Sequence, residues 1–324
     1  MDSILNNLQF DEVLDAFSGS GVVSYYFKAM GKTVTSNDLL KSSYITSKAM
    51  IENNFTVISS HLLSEILELP NYNSHDHVIE DNYSGFYYTD AENIWLDAVI
   101  SNIRSVSDEY AQAILYWALF QSCIIKRPYN LFHRKNLYMR LDDVPRSFGN
   151  KTAWDRPFTT HFKQFVDEAN RAIIDNGREN KALNYDVSDI PDENFDLVYI
   201  DPPYMKQKKN MSGNDYQNYY HFLEGILDYT NWRKYIQHKL KHNPYTHDKS
   251  RWISPKLIEQ EFERLIERFQ DSTLVISYNM EGFPAPSRLE DILKNHSKEV
   301  RTYYNDIKYA LKKKNNTEIL IVAK

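Results

Sequence analysis

The chain is poor in the residues that staple or loosen a fold. One cysteine, Cys123, occurs in 324 residues, so no internal disulfide can form and no Cys/His zinc spacing exists. Glycines number only nine, which makes the close pair Gly19 and Gly21 conspicuous. No apolar run approaches the roughly 18 residues that a membrane-crossing helix needs, and no secretory leader opens the chain. These absences imply a reducing cytoplasmic setting, with no membrane and no bound metal. An excess of positive charge is missing too. The net charge is −6, so a nucleic-acid partner has to be met by local basic patches.

What remains is ordinary globular composition. Hydrophobic residues make up 42 % and charged residues 25 %, values that exclude wholesale disorder. Tyrosine is unusually frequent, at 24 residues, and its flat face with a polar tip suits base contacts at partly buried surfaces. Charge is segregated along the chain. Residues 61–110 hold ten acidic side chains and one basic one, Arg104, whereas 121–151 hold seven basic and two acidic. Such a contrast places one positive stripe on phosphate while the rest repels it.

Six β-type runs stand out, at 12–17, 32–38, 195–201, 272–278, 298–304 and 317–323. Several are apolar throughout, as expected of strands buried on both faces of a parallel sheet. Helical patterns at 22–30, 45–53, 162–176, 255–269 and 288–296 separate most of them. That alternation predicts an α/β fold with a doubly wound, Rossmann-like sheet. It breaks twice. Residues 56–156 are long enough for an inserted, mainly helical domain, which leaves 1–55 and 157–324 for the sheet domain. Residues 205–252 read as a long functional loop with short helices.

VLDAFSGSG (13–21) is an apolar strand, a tight glycine turn and the start of a helix. Gly19 and Gly21 allow positive φ and let a ligand approach bare backbone. In doubly wound sheets ligands bind beyond the carboxyl ends of the strands. Asp38 ends the next strand, nineteen residues after Gly19, about where an acid grips ribose hydroxyls in nucleotide sites. A dinucleotide fingerprint wants a third small residue where Ser24 stands, which disfavours an NAD-dependent oxidoreductase.

DLVYIDPPY (196–204) is a second apolar strand, ending in Asp201, Pro202, Pro203 and Tyr204. Two prolines cannot continue a sheet and fix a rigid, extended exit at the same ligand-binding edge. The Asp201 carboxylate and the Pro202 carbonyl are two acceptors, the complement of the two donors on a planar amino group. Tyr204 offers a face on which a base stacks. An aromatic amino group is a poor nucleophile because its lone pair is delocalised. Acceptors set off the ring plane favour a tetrahedral nitrogen and stabilise the positive charge that develops on it.

With both motifs in place, the chain resembles the Dam-like, alpha-group DNA adenine methyltransferases. FSGSG (17–21) is similar to their cofactor turn, Asp38 to their ribose-binding acid, and Asp201–Tyr204 to their catalytic tetrapeptide. ISYN (276–279) resembles a later core strand. Asp186 and Val187 take the position of an Asp-Phe pair that flanks the cofactor adenine, with Val187 in place of the aromatic. Residues 1–10 contain no lysine, where the family has one that closes over the methionine part of the cofactor. The resemblance implies a seven-stranded sheet, S-adenosyl-L-methionine as cofactor, and extrusion of the target adenine from the duplex. It assigns catalysis to Asp201, Pro202, Pro203 and Tyr204. It assigns cofactor contacts to Asp15, Ala16, Phe17, Ser18, Gly19, Gly21, Asp38, Leu39, Asp186, Val187 and Asp201.

The stripe KRPYNLFHRKNLYMR (126–140) mixes cations with aromatics. Lys126, Arg127, Arg134, Lys135 and Arg140 are candidates for phosphate, and Asn130 or Arg134 for base edges. Lys206 and Lys208 follow the catalytic turn and fall near an extruded nucleotide. His221, His238, His242 and His247 lack the glutamate of a zinc motif and read as solvated histidines on a DNA-facing loop. Cys123 reads as a small buried apolar residue. The expected partners are double-stranded DNA and a cognate restriction endonuclease or a second methyltransferase chain. Methylation of RNA adenine or another planar amino group stays open, as does a catalytically silent DNA-binding subunit.

Overall fold

The computed structural model describes residues 2–142, 150–205, 214–296, 298–307 and 316–324. The chain forms two compact units, one of Met1–Leu39, Asn176–Tyr216 and Asp248–Lys324, the other of Leu40–Asp175 and Gln217–His247. No helix among the described residues is long and apolar enough to cross a membrane.

The first unit is a seven-stranded sheet: β1 Glu12–Asp15, β2 Thr33–Asn37, β3 Lys181–Leu183, β4 Leu197–Ile200, β5 Thr273–Asn279, β6 Val300–Ile307 and β7 Asn316–Ala323. Their order is β3-β2-β1-β4-β5-β7-β6, with β7 antiparallel to both neighbours and the other pairs parallel. The seven-stranded α/β expectation therefore holds. Strand β3 is the one that the apolar pattern does not reveal. It is three residues long and lies on an edge, too short for alternation to register. All four residues of β4 are buried, which is why the run reads as continuously apolar. On one face, Leu14, Val198, Ile200, Leu274, Ile276 and Ile321 meet Phe262, Leu265 and Ile266 of the helix Ile258–Arg268 and Leu289, Ile292 and Leu293 of the helix Pro286–Asn295. Those helical residues recur every three or four positions, the spacing of a single apolar stripe.

Successive strands run outward from β1 in one direction (β2, β3) and from β4 in the other (β5). The β1/β4 boundary is thus the switch point of the sheet, where a crevice opens beyond the strand ends. Register pairs Val13 with Leu197, Leu14 with Val198 and Asp15 with Tyr199. The glycine turn and the Asp-Pro-Pro-Tyr exit leave adjacent strands at the same edge.

The second unit is helical and larger than the 56–156 insertion. Its centre is the helix Glu109–Ile125, which buries ten residues, Cys123 among them. So apolar a helix needs partners on several sides. It draws in Lys41–Ser47 from before the insertion and Phe158–Ala172 from after it, the latter through Phe158, Phe162, Val166 and Ala169. Part of the tyrosine excess is also spent here. Tyr83, Tyr87 and Tyr88 are fully buried beside Phe132, Phe222 and Trp232, so they are core residues. His221 is buried with them, its Nε2 2.9 Å from the Tyr87 hydroxyl, and burial holds it neutral with a pKa near 3. It is a core histidine, contrary to the solvated reading.

Gly225 lets this cluster close, because a Cβ there would lie 1.9 Å from the Trp232 ring. Gly225→Ala is expected to destabilise the chain by about 1–3 kcal/mol through overpacking. Urea unfolding reads this directly, and an unchanged midpoint would contradict the packing.

Candidate active site

The glycine turn is built by its backbone. Gly19 and Gly21 have φ of +52° and +76°, values that side chains disfavour. Ser18 N–H donates to the Asn37 carbonyl at 2.9 Å and Gly21 N–H to the Ser18 carbonyl at 2.8 Å. Phe17 packs edge-on against Trp252, with ring centroids 4.9 Å apart, and pins the turn to the core. The Asp38 carboxylate accepts the Gly19 N–H at 2.8 Å, so the candidate ribose acid touches the turn itself.

Asp15, at the end of β1, is 1 % exposed. Ser24 donates its hydroxyl to Asp15 Oδ2 at 2.6 Å and lies 2.9 Å from the Ser36 hydroxyl. The residue that spoils a dinucleotide fingerprint is therefore the one that holds this carboxylate. Asp15 Oδ1 is buried with no hydrogen-bond partner. Burial first, and then the charges of Asp201 and Asp38, push the Asp15 carboxyl up to about 7, with the Ser24 hydrogen bond opposing. The two motifs are thus in electrostatic contact across the switch point.

Asp201 is raised to about 6, first by burial and then by the charge of Glu318, while Tyr204 and Ser277 donate to it and hold it lower. The Tyr204 hydroxyl reaches Asp201 Oδ1 at 2.5 Å and lies 3.3 Å from the Ser277 hydroxyl. Tyr204 is half-buried, and its ring stands edge-on to Tyr278. Met205, fully buried, accepts the Phe283 N–H at 2.8 Å and anchors the exit.

Sequence reasoning missed the braces of this edge. Asn37 donates to the carbonyls of Ala16 and Tyr185 and accepts from Tyr185 N–H. Asn184 donates to the carbonyls of Asp38 and Leu39. An asparagine closing a strand carries no pattern that separates it from an ordinary turn residue. Near this edge, Val187, expected beside the cofactor, is 5 % exposed and packs in the apolar core. The exposed side chains there are Tyr185 (43 %) and Leu39 (38 %). Asp186 caps its own turn by accepting from Ser188.

The basic stripe, in the helical unit, is corrected. Lys126, Arg127 and Arg140 are buried, and their charges are spent inside the protein. Arg140 grips Glu92 with two nitrogens at 2.9 and 2.7 Å, and Lys126 reaches Glu92 at 2.9 Å and the Trp154 carbonyl at 2.7 Å. Glu92 also accepts the Thr89 N–H in a capping box at the head of the helix Asp90–Arg104. Burial works to raise the Glu92 carboxyl, but Arg140 and Lys126 together hold it below its ordinary range. Arg127 lies over the Tyr87 ring at 4.3 Å and donates to the carbonyls of Leu131 and Arg134. In doing so it braces a tip at Tyr129 and Asn130, both with positive φ. Asn130, Arg134 and Lys135 remain exposed, as do Tyr129 and Tyr138. Lys206 and Lys208 lie outside the described residues.

A family model described as D12 class N6 adenine-specific DNA methyltransferase matches residues 1–272. The chain is 26 % identical over 321 residues to the Type II methyltransferase M2.HphI of Haemophilus parahaemolyticus, covering 96 % of this chain and 89 % of that protein. It is 29 % identical over 305 residues (87 % of this chain) to the Type II methyltransferase M.FokI of Planomicrobium okeanokoites. It is 27 % identical over 301 residues (88 % of this chain) to the modification methylase StsI of Streptococcus sanguinis. The match takes in 42 % of each of these last two proteins.

Glu92→Gln would leave Lys126 and Arg140 buried without their counter-charge. A loss of about 3–5 kcal/mol of stability is expected, the usual cost of breaking a buried pair from one side. Denaturant unfolding checks it, and a loss well under 1 kcal/mol would mean that the cluster is solvated.

Proposed function

The chain belongs to the D12 class N6 adenine-specific DNA methyltransferases, and from that premise we propose how its own residues carry out site-specific methylation of adenine. The observation that supports this reading most is the meeting of three carboxylates, Asp15, Asp38 and Asp201, where β1, β2 and β4 end. Such a cluster is costly without a cationic ligand. S-adenosyl-L-methionine fits the need, since when bound it supplies an electrophilic methyl group on a sulfonium and carries an ammonium as well. The buried, unpartnered Asp15 Oδ1 suits that ammonium. The bare turn at Ser18–Gly21 suits the chain of the ligand, Asp38 its ribose hydroxyls, and Leu39 and Tyr185 the faces of its adenine.

Asp201 and the Pro202 carbonyl take the two N–H bonds of the target amino group. The adenine has to leave the duplex to reach them. The new N–C bond would form as the methyl–sulfur bond breaks and the sulfonium sulfur leaves as a neutral thioether, and the nitrogen, cationic at that point, sheds one proton. A carboxylate raised to about 6 is a competent acceptor near neutral pH. The Tyr204 hydroxyl fixes the orientation of Asp201, a task beyond base stacking. In the helical unit, the exposed tip with Tyr129, Asn130, Arg134 and Lys135 is our candidate for DNA recognition. A strained backbone held by a buried arginine is a device for presenting side chains. Relatives named as type II methyltransferases and a modification methylase support a place in a restriction–modification system, with double-stranded DNA and a cognate endonuclease as partners.

Transfer of a labelled methyl group to DNA tests the chemistry. Below about 6 the Asp201 carboxylate is protonated and loses an acceptor, so kcat/KM should fall as pH drops through that value. Tyr204→Phe removes a donor that lowers the Asp201 pKa, so this limb should move to higher pH; an unmoved limb would detach Tyr204 from Asp201. Asp15→Asn should weaken S-adenosylmethionine binding by about tenfold, or ~1.4 kcal/mol. Because it removes a buried charge, the unfolding midpoint should hold or rise. Unchanged calorimetric affinity would remove Asp15 from the ligand site. Arg134→Ala and Lys135→Ala should each lower the salt slope of DNA binding by about one unit. Slopes equal to that of the native chain would move recognition elsewhere.

A further inference from the structure

The acidic stretch 61–110 holds a group of side chains in the helical unit that methyl transfer does not use. Asp97 is fully buried within the helix Asp90–Arg104. Its Oδ1 accepts the Ile79 N–H at 3.0 Å and the Tyr229 hydroxyl at 2.5 Å, and its Oδ2 accepts the Glu80 N–H at 2.9 Å. A carboxylate oxygen has two lone pairs, so Oδ2 keeps capacity for one more partner.

His77 stands just ahead of the helix Val78–Tyr83, which carries Glu80. Its Nε2 is 2.8 Å from the Tyr72 carbonyl. A carbonyl only accepts, so Nε2 carries the hydrogen, and in the neutral ring Nδ1 is then a bare lone pair. That atom faces Glu80 Oε2 at 3.0 Å. Two acceptors at this distance repel each other unless a cation stands between them. The candidate ligand atoms of His77, Glu80 and Asp97 all lie within 4.8 Å of one another. The His75 ring is 4.7 Å from the His77 ring, and both of its nitrogens are shut from solvent without a hydrogen-bond partner.

A proton on His77 would answer the His77–Glu80 contact alone. It leaves both His75 nitrogens unexplained. We propose that His77, Glu80 and Asp97 bind a divalent transition cation of the zinc type, with the neighbouring His75 ring, outside that close group, turning in as the fourth ligand. Two imidazoles and two carboxylates are a borderline donor set that suits tetrahedral Zn2+. Bonds of about 2 Å in a tetrahedron put neighbouring ligand atoms roughly 3.3 Å apart, close to the 3.0 Å between His77 and Glu80. The hydrogen bond from His77 Nε2 to the Tyr72 carbonyl is the outer contact that ligating histidines make to fix their ring. The surrounding stretch, ten acidic residues to one basic, favours cation entry. The site is a structural clip. It ties the segment 72–80 to the helix Asp90–Arg104, and its ligands are needed nowhere in the chemistry of methyl transfer.

The test uses the full chain, stripped with a chelator and titrated with CoCl2, followed by displacement with ZnCl2. One equivalent of Co2+ is expected, with the intense visible bands of a tetrahedral site that vanish on adding Zn2+, and the melting temperature should rise on metal binding. His75→Gln should keep the fold while losing about tenfold or more in Co2+ affinity; the double variant His77→Gln, Glu80→Gln should bind none at that site. Weak bands of octahedral type, uptake equal in the native chain and the double variant, or unchanged affinity in His75→Gln would each overturn the assignment.

Discussion

The parallel pairing of β1 with β4 is the constraint on which the site depends. These strands are far apart in sequence, and their register sets Asp15 beside Tyr199, two residues ahead of Asp201. A switch point is where doubly wound sheets bind ligands beyond the strand ends, and both strands end on a carboxylate there. Asp15 feels the charges of both Asp201 and Asp38, which raise its pKa. The sheet stores this unfavourable electrostatics at one edge, where the cationic ligand we propose would relieve it. The apolar packing of Leu14, Val198 and Ile276 beneath supplies the stability that permits it.

The helical unit solves a different problem of charge. Lys126 and Arg140 enter the protein interior because Glu92 meets both, and backbone carbonyls take further donors of each. Buried ion clusters of this kind add little net stability over an apolar core, but they tolerate no missing member. What they specify is position. Arg127, held over Tyr87 and Phe132, fixes the turn that carries Tyr129 and Asn130 in left-handed conformations. Interior cations thus shape the tip, and the exposed cations Arg134 and Lys135 stand on it.

The sheet was legible in the sequence wherever its strands are continuously apolar, as in β4 and β5, and β3 was not, because three residues on an edge carry no period. The two motifs were legible because glycine pairs and double prolines constrain backbone in ways that few other positions need. The roles of Lys126 and Arg140 were misread because a cation in sequence gives no sign of whether its partner is phosphate or a glutamate more than thirty residues away, and Arg127 because its partners are an aromatic ring and backbone carbonyls. Ser24 and Asn37 were invisible for a related reason. Their work is to hold Asp15 and the Tyr185 segment, and small polar residues do that in many folds without a pattern.

The central claim is that the edge where β1 and β4 end methylates the amino group of adenine through Asp201. Mass spectrometry of nucleosides from plasmid DNA, grown in a methylation-free host that expresses the chain, addresses it most directly. The account predicts N6-methyladenine in DNA from the native chain and none from an equally folded Asp201→Ala variant. Methylated cytosine in its place, or undiminished N6-methyladenine from the variant, would contradict it.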